Sequence, residues 1–501
     1  MPNMSTNNSR QALWIGIGSF FSFLVAIISP VILSRIFSKA DYGTYKQVMF
    51  VYSSLVTVFT IGLPKAYSYF LPKYDNCYSK DIINKITHLF YLMGVVFSLF
   101  IFFCSDIISN LLNNEELSVA LKIFSPTPFF LLPAFGLEGI YATYRKAQYL
   151  TIYTILTRIL KVVLSVLPVF IFNGSYIHAI VGFDVASFLV FVSALWMKSY
   201  PVRSEKREKS VLTYRGILAF SLPLLYASIW GLIISSATQF FISRYYGNVV
   251  FADFSNGFME IPFATMVVSA VAAVLLPRLS ELEGSSSQQK NELIALWRSA
   301  LIKSAKIIFP ILIFSIVFSR IIMMCLYGDI YETSGVYFMI KNTSSLFYIV
   351  PFAPIMLAIG KTKAFATIHM VTTLLLVTLE FLCVKIVDSP IALAVISEVC
   401  QVFKLYLMMR VVALYANRPM IQLIPIKDLF KTLIACLMSA LVTYGLMYLV
   451  SGNKYIMAMG FLLVYGFIYY IICWILKNSY KDIASGIIPS CLSNRIIRFV
   501  P

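Results

Sequence analysis

Ser34-Arg35-Ile-Phe-Ser38-Lys-Ala-Asp41-Tyr42-Gly43-Thr-Tyr45 occurs near the start of the chain, and a related stretch occurs again in its middle. In the first copy an apolar span ends at Ser34-Arg35, a short loop follows, and a second apolar span closes on Leu71-Pro72-Lys73. In the second, Ser243-Arg244 leads into Phe251-Ala252-Asp253-Phe254, and the next span closes on Leu276-Pro277-Arg278. Arg35, Tyr42, Gly43 and Tyr45 overlie Arg244, Phe251, Ala252 and Phe254 without a gap, and the Leu-Pro-basic ends match after a four-residue slip. Each copy is a span, a basic-aromatic loop, a second span and a cationic exit. Two such halves are the pattern of transporters whose substrate path runs between repeats.

The composition sets the solvent. Of 501 residues, 59% are hydrophobic and 12% charged, with mean hydropathy +0.84. A soluble domain averages about 45–50% apolar and about 25% charged, so the chain is an integral membrane protein. The apolar runs are long and lack the period-2 alternation of a barrel strand, which predicts helices. The run Gln11–Leu33 is too long for the apolar part of a cleavable signal peptide. Eight cysteines are scattered singly, mostly within spans (Cys104, Cys383, Cys400, Cys436, Cys473), and read as small core hydrophobes.

At roughly 20 residues per span, about fourteen are expected. They are 11–33, 45–63, 86–108, 119–141, 149–172, 177–197 and 217–242, then 251–275, 301–324, 336–359, 364–386, 391–412, 429–450 and 455–476. The expected division is a six-helix lobe over 1–197, a basic linker over 198–216, a second six-helix lobe over 217–412, and two extra helices with a tail over 413–501. The net charge of +18 follows the loops. One set of loops holds Lys65, Lys73, Lys80 and Lys85, then Arg145 and Lys146, then the run from Lys198 to Arg215, and further on Lys361, Lys363, Arg410 and Arg418. The opposite set is poor in cations, so the positive-inside rule predicts that the first set and both termini are cytoplasmic. Ser280–Arg298 reads as a cytoplasmic surface helix with a mobile start.

A charge at mid-membrane costs about 2.5–3.5 kcal/mol and needs a reason. In the fifth span Thr151, Thr154, Arg158, Lys161 and Ser165 step by 3, 4, 3 and 4, one polar stripe on a helix. Two cations a turn apart repel unless an anion or a carboxylate lies opposite. The stripe is therefore either the cationic wall of a cavity or a structural pairing with Glu138 or Asp184. Glu260 follows Asn256 by a turn and precedes Pro262, where a kink gathers freed carbonyls and water. Glu398 precedes Gln401 and Lys404, and Glu380 lies alone in its span. Each embedded acid (Glu260, Glu398, Glu380, with Glu138 and Asp184) is a candidate for proton or ion coupling or a helix-to-helix hydrogen-bond anchor. Arg35 and Arg244 either guard an extracytoplasmic mouth or snorkel to the interface, and the repeat favours a shared structural role.

Three motifs fail. Gly360-Lys361-Thr362 lacks the glycine five residues earlier that a phosphate-binding loop needs. Asn173-Gly174-Ser175 fits a glycosylation sequon without a secretory context, and His88, His178 and His369 have no ligand spacing. No nucleophile–base set stands out, so an enzyme is not expected, and neither is a cofactor, a metal or nucleic-acid binding.

With the doubled hairpin and the span count, the chain resembles the multidrug/oligosaccharidyl-lipid/polysaccharide flippase superfamily, and within it the polysaccharide-unit (Wzx-type) flippases. The resemblance covers essentially the whole chain. Its most specific piece is Ser34–Tyr45, similar to the family's first-loop signature, although family members often have Leu-Gly where this chain has Phe37-Ser38. The resemblance implies an all-α fold, a V-shaped pair of six-helix lobes and a central cationic cavity. It implies a short oligosaccharide on undecaprenyl diphosphate as substrate, an O-antigen, capsule or exopolysaccharide unit moved to the outer leaflet of the bacterial cytoplasmic membrane. Arg158 and Lys161, with Lys46, Arg35 and Arg244, are the candidate cavity cations. The implied partners are the lipid-linked oligosaccharide, membrane lipids, and a polysaccharide polymerase with its chain-length regulator. Rival readings are a drug exporter of the same superfamily, which calls for an acidic cavity, and an embedded glycosyltransferase or O-antigen ligase, which calls for a sizeable extracytoplasmic loop.

Overall fold

The computed structural model describes residues 21, 24–25, 27–205, 208–281, 287–350, 352–447 and 453–481. Most of the first expected span, Lys206 and Arg207 of the linker, the start of the 280–298 segment, both termini and the tail beyond 481 lie outside the described residues. The described chain is all-helical and divides into two compact units, Met1–Ala252 and Asp253–Pro501. Nine helices among the described residues are long and apolar enough to cross a membrane, or up to eleven if each of two bent pairs is one span.

The first unit holds α1 (Ile27–Ile36), α2 (Lys39–Thr60), α3 (Leu63–Phe70), α4 (Ser79–Leu111), α5 (Glu116–Phe124), α6 (Thr127–Leu131), α7 (Leu137–Thr143), α8 (Ala147–Ile171) and α9 (Tyr176–Ser199). Most of α10 (Tyr214–Gly257) also belongs to it. The loop between α1 and α2 is short because Ser38 caps α2: its hydroxyl accepts from the Asp41 amide at 3.1 Å and donates to the Asp41 carboxylate at 2.7 Å. The aligned position in the second copy is Gly247, where α10 breaks with φ 77°. One break is made by a cap and the other by a residue free to adopt positive φ.

Gly43, one turn into α2, meets α10 backbone to backbone, since a Cβ there would lie 2.1 Å from the Asn248 carbonyl oxygen. Buried polar groups seal that meeting. Gln47 donates to the Ser243 hydroxyl at 2.7 Å, and Asn114 donates to Gln47 at 2.6 Å and to Thr44 at 2.9 Å.

The segment expected to be a plain linker is fastened to α4. The Lys80 amine donates to the carbonyls of Arg203 (3.1 Å) and Glu205 (2.6 Å), and Lys85 donates to the Leu212 carbonyl at 2.8 Å. Lys198, assigned by sequence to a solvent-facing loop, is buried at the end of α9. It donates to the Tyr67 hydroxyl at 2.7 Å and lies over the rings of Tyr67 (4.7 Å) and Phe90 (5.2 Å). Its four-carbon stem lets the ammonium reach back into the helix layer.

The second unit comprises α11 (Pro262–Glu281), α12 (Ser287–Val317), α13 (Ser319–Tyr327), α14 (Ser334–Ser345), α15 (Phe352–Ala358), α16 (Thr362–Ile386), α17 (Pro390–Ala416), α18 (Met420–Leu423), α19 (Ile426–Met447) and α20 (Lys454–Ile475). The span expected over 251–275 is broken at residues 258–261, because Pro262 lacks an N–H and restarts the helix at its first position. The span expected over 336–359 is likewise split between α14 and α15. Pro72 sits in a 3-10 turn, whereas Pro277 lies inside α11, so the two Leu-Pro ends are not structural equivalents. The core of this unit gathers Trp297, Phe309, Leu312, Phe318, Met408 and Tyr465. The two extra helices α19 and α20 pack on α12 and on each other. Gly360, of the Gly-Lys-Thr stretch, turns the chain between α15 and α16 with φ 69°.

Candidate functional site

Four of the five stripe residues on α8, Thr154, Arg158, Lys161 and Ser165, line one wall of a cavity of about 1000 Å³ inside the first unit, while Thr151 is buried and does not line it. Thr157 reaches it too. Across from them stand Tyr45 and Tyr52 of α2, Lys65 and Ser68 of α3, and Glu138 of α7. An aromatic column backs the wall: Phe59, Phe97 and Tyr52 stack at centroid distances of 4.2 and 5.9 Å, Phe124 meets Tyr52 at 5.6 Å, and Phe183 stacks on Phe124 at 6.0 Å. The column fixes α2, α4, α5 and α9 around the cavity and leaves the polar face of α8 turned into it.

Among the described residues neither cation has a carboxylate within ion-pairing distance. Lys161 is half-buried with its amine 5.1 Å over the Phe183 ring, while Arg158 is exposed on the cavity wall. Asp184 is engaged elsewhere, accepting a hydrogen bond from the Thr127 hydroxyl. Glu138 reaches the cavity without pairing with either cation. A ring face offsets only part of an ammonium's lost hydration. The wall can therefore do one thing well, which is to accept an anion with several oxygen acceptors.

Three of the sequence candidates do not line this cavity. Lys46 lies on another face of α2, with its amine 5.5 Å over the Tyr42 ring. Arg244 donates to the Asn110 carbonyl at the end of α4, and Arg35 is exposed at the end of α1. Lys65, by contrast, had been assigned only to a loop, and the bend between α2 and α3 at Ile61-Gly62 carries it to the cavity.

The acids of the second unit meet a lysine that the span pattern had passed over. Lys341 of α14 lies 3.1 Å from Glu398 of α17 and 3.3 Å from Glu260 in the break before α11. Ser344 donates to the other Glu398 oxygen, and Lys404 donates to Gln401 on its own helix. Tyr348 donates to the Gln401 carbonyl at 2.8 Å. The signal available in the sequence was a lysine inside an expected span, at the head of the polar run Asn342-Thr-Ser-Ser345, weaker than the isolated cation in apolar sequence that marked Lys161. Glu380 is fully buried on α16.

Residues 9–283, more than half of the chain, match the family profile described as "Polysaccharide biosynthesis protein". The chain belongs to that family. A comparison with curated proteins returned no significant match. Among solved structures, the family member is similar to lipid II flippase MurJ in an inward closed conformation, with TM-score 0.69 and 17% identity over 94% of this chain and 99% of the other. An inward-facing multidrug resistance MATE family transporter follows with TM-score 0.58 and 13% identity over 79% of this chain and 96% of that one. A Pyrococcus furiosus transporter of the same superfamily, described as having a binding pocket of reverse polarity, gives TM-score 0.53 and 15% identity over 81% and 96%. These likenesses establish the fold. The compared structures are described as a flippase and as transporters, two of them of the multidrug/oligosaccharidyl-lipid/polysaccharide superfamily, and this chain shares their fold.

Proposed function

We propose that this family member flips an undecaprenyl-diphosphate-linked oligosaccharide, an O-antigen, capsule or exopolysaccharide unit, from the cytoplasmic to the outer leaflet of the bacterial inner membrane. The supporting observation is the pair Arg158 and Lys161 on the wall of a cavity of about 1000 Å³, with no acid paired to either among the described residues. Such a pair persists in a membrane helix only where a ligand or a wet cavity compensates it. A diphosphate supplies two charges and several acceptors, and charge-assisted bonds to a guanidinium and an ammonium are strong away from bulk water. The glycan cannot cross hydrocarbon unaided and needs a protein-lined route, while the polyprenyl tail stays in lipid. Alternating access carries the headgroup across.

The charge bias of the loops supports cytoplasmic termini and uptake from that side. The Lys341–Glu260–Glu398 network is our candidate for coupling to protons or ions, because three embedded charges at a helix break form an element that can exist in two arrangements. A drug exporter is disfavoured, since Glu138 is the one acid on the cavity wall against three cations.

The test is export of polymer by the Arg158→Ala/Lys161→Ala double variant. Loss of export at normal protein level is expected, with lipid-linked oligosaccharide accumulating on the inner leaflet. Undiminished export would remove the cavity assignment, and accumulation on the outer leaflet would point to a ligase or polymerase step.

A further inference from the structure

A second hollow opens in the first unit, about 400 Å³ in volume, between α2 and α10. Ser53, Ser54 and Thr57 line it from α2, and Ser228, Ser235 and Gln239 line it from α10. Among the described residues no charged group and no aromatic ring is on its wall. The α10 positions 228, 231, 235 and 239 fall on one helical face in the middle of an apolar span. Such a face either packs against another helix or borders a polar occupant, and here it faces a hollow.

The hydrogen bonds narrow the class of that occupant. Ser53, Ser228 and Ser235 each donate their hydroxyl proton to a carbonyl of their own helix, at 3.1, 2.8 and 2.9 Å. Ser54 donates to Ser236 at 3.3 Å. A hydroxyl has one proton and two lone pairs, so these oxygens present acceptors to the hollow. A phosphate brings acceptors only and finds few donors here. A sugar brings a ring of O–H donors, and an acetamido group an N–H. The Gln239 amide and the Thr57 hydroxyl have no partner among the described residues, and they add the donors that a ring oxygen or an acetamido carbonyl needs. At Gly231 an added Cβ would meet nothing within 4 Å, which leaves the α10 side open.

We infer that this hollow is the glycan subsite, taking neutral sugar units while the Arg158/Lys161 cavity takes the diphosphate. The inference rests on the function proposed above. α2 serves both sites, with Tyr45 and Tyr52 on the cationic cavity and Ser53, Ser54 and Thr57 on the neutral one.

The test uses the full chain in nanodiscs and two probes, undecaprenyl diphosphate and undecaprenyl diphosphate carrying one N-acetylhexosamine. The wild-type chain is expected to bind the glycosylated probe about tenfold more tightly, the effect of one or two added hydrogen bonds. Ser235→Ala/Gln239→Ala should erase that difference and leave the bare probe's affinity unchanged. Gly231→Leu should erase it too, by filling the hollow without a clash and with improved helix propensity. Arg158→Ala/Lys161→Ala should weaken both probes alike. Equal binding of the two probes by the wild type overturns the subsite, and so does a preference that survives both α10 variants. If the cation variant changes neither affinity while Gln239 still controls the preference, the diphosphate reading fails and the glycan subsite stands. If neither probe binds, both fail.

Discussion

The two units treat embedded cations in opposite ways. In the second, Lys341 is bracketed by Glu398 at 3.1 Å and Glu260 at 3.3 Å, with Ser344 completing the shell of Glu398. In the first, Arg158 and Lys161 share a cavity wall and receive one ring face between them. Removing a charge from water is costly wherever it happens. Where neighbouring acids offset that cost, as around Lys341, the charge is compensated from within the protein. Where no described residue offsets it and a cavity adjoins, the compensation comes from water in the cavity or, on the function proposed above, from the ligand.

The largest expected effect falls on that open pair. Arg158→Ala/Lys161→Ala should abolish polymer export while detergent-solubilised protein keeps its yield and melting temperature, and a loss of yield of the same size would put these cations in the framework instead. Lys341→Ala should cost stability first. It leaves two carboxylates without their cation, a defect of about 3–5 kcal/mol, visible as low yield in a fluorescence-detected size-exclusion assay. Recovery of yield in Lys341→Ala/Glu260→Gln/Glu398→Gln would sharpen the contrast, and a stable single variant would break it.

A smaller effect tests whether the difference can be engineered away. Phe183→Glu places a carboxylate under Lys161 in the manner of the second unit, and export per folded molecule should fall about tenfold, the scale of one lost charge-assisted hydrogen bond, with Phe183→Leu as the control for the lost stacking on Phe124. Lys198 is an intermediate case, buried without an acid but bonded to Tyr67 and held by two rings. Lys198→Met should leave export intact and stability unchanged or raised by roughly 1 kcal/mol, as for other buried charges replaced by apolar isosteres. Last comes the exposed pair Arg320–Glu332 at 3.2 Å, where Arg320→Ala should alter stability by no more than about 0.5 kcal/mol.

The amino-acid order by itself determined the solvent, the helical class, most span positions and the stripe on α8. These depend on transfer energy and on the 3.6-residue period, both of which act within about twenty contiguous residues. The repeat was legible for the same reason: Ser38 and Gly247 occupy aligned positions, and each stops a helix by a local device.

Only the tertiary structure decided which charges meet. Lys341 reaches Glu260 and Glu398 from three separate elements, Lys65 is carried to the cavity by a bend, and Lys198 folds inward from a segment that read as solvent-facing. The neutral hollow likewise lies between α2 and α10, two elements distant in sequence that meet at Gly43 and Asn248. A helix's sequence fixes the direction in which each side chain points, but the neighbour that satisfies or fails to satisfy it is set by the packing of other helices, and for a buried charge that neighbour decides the energy.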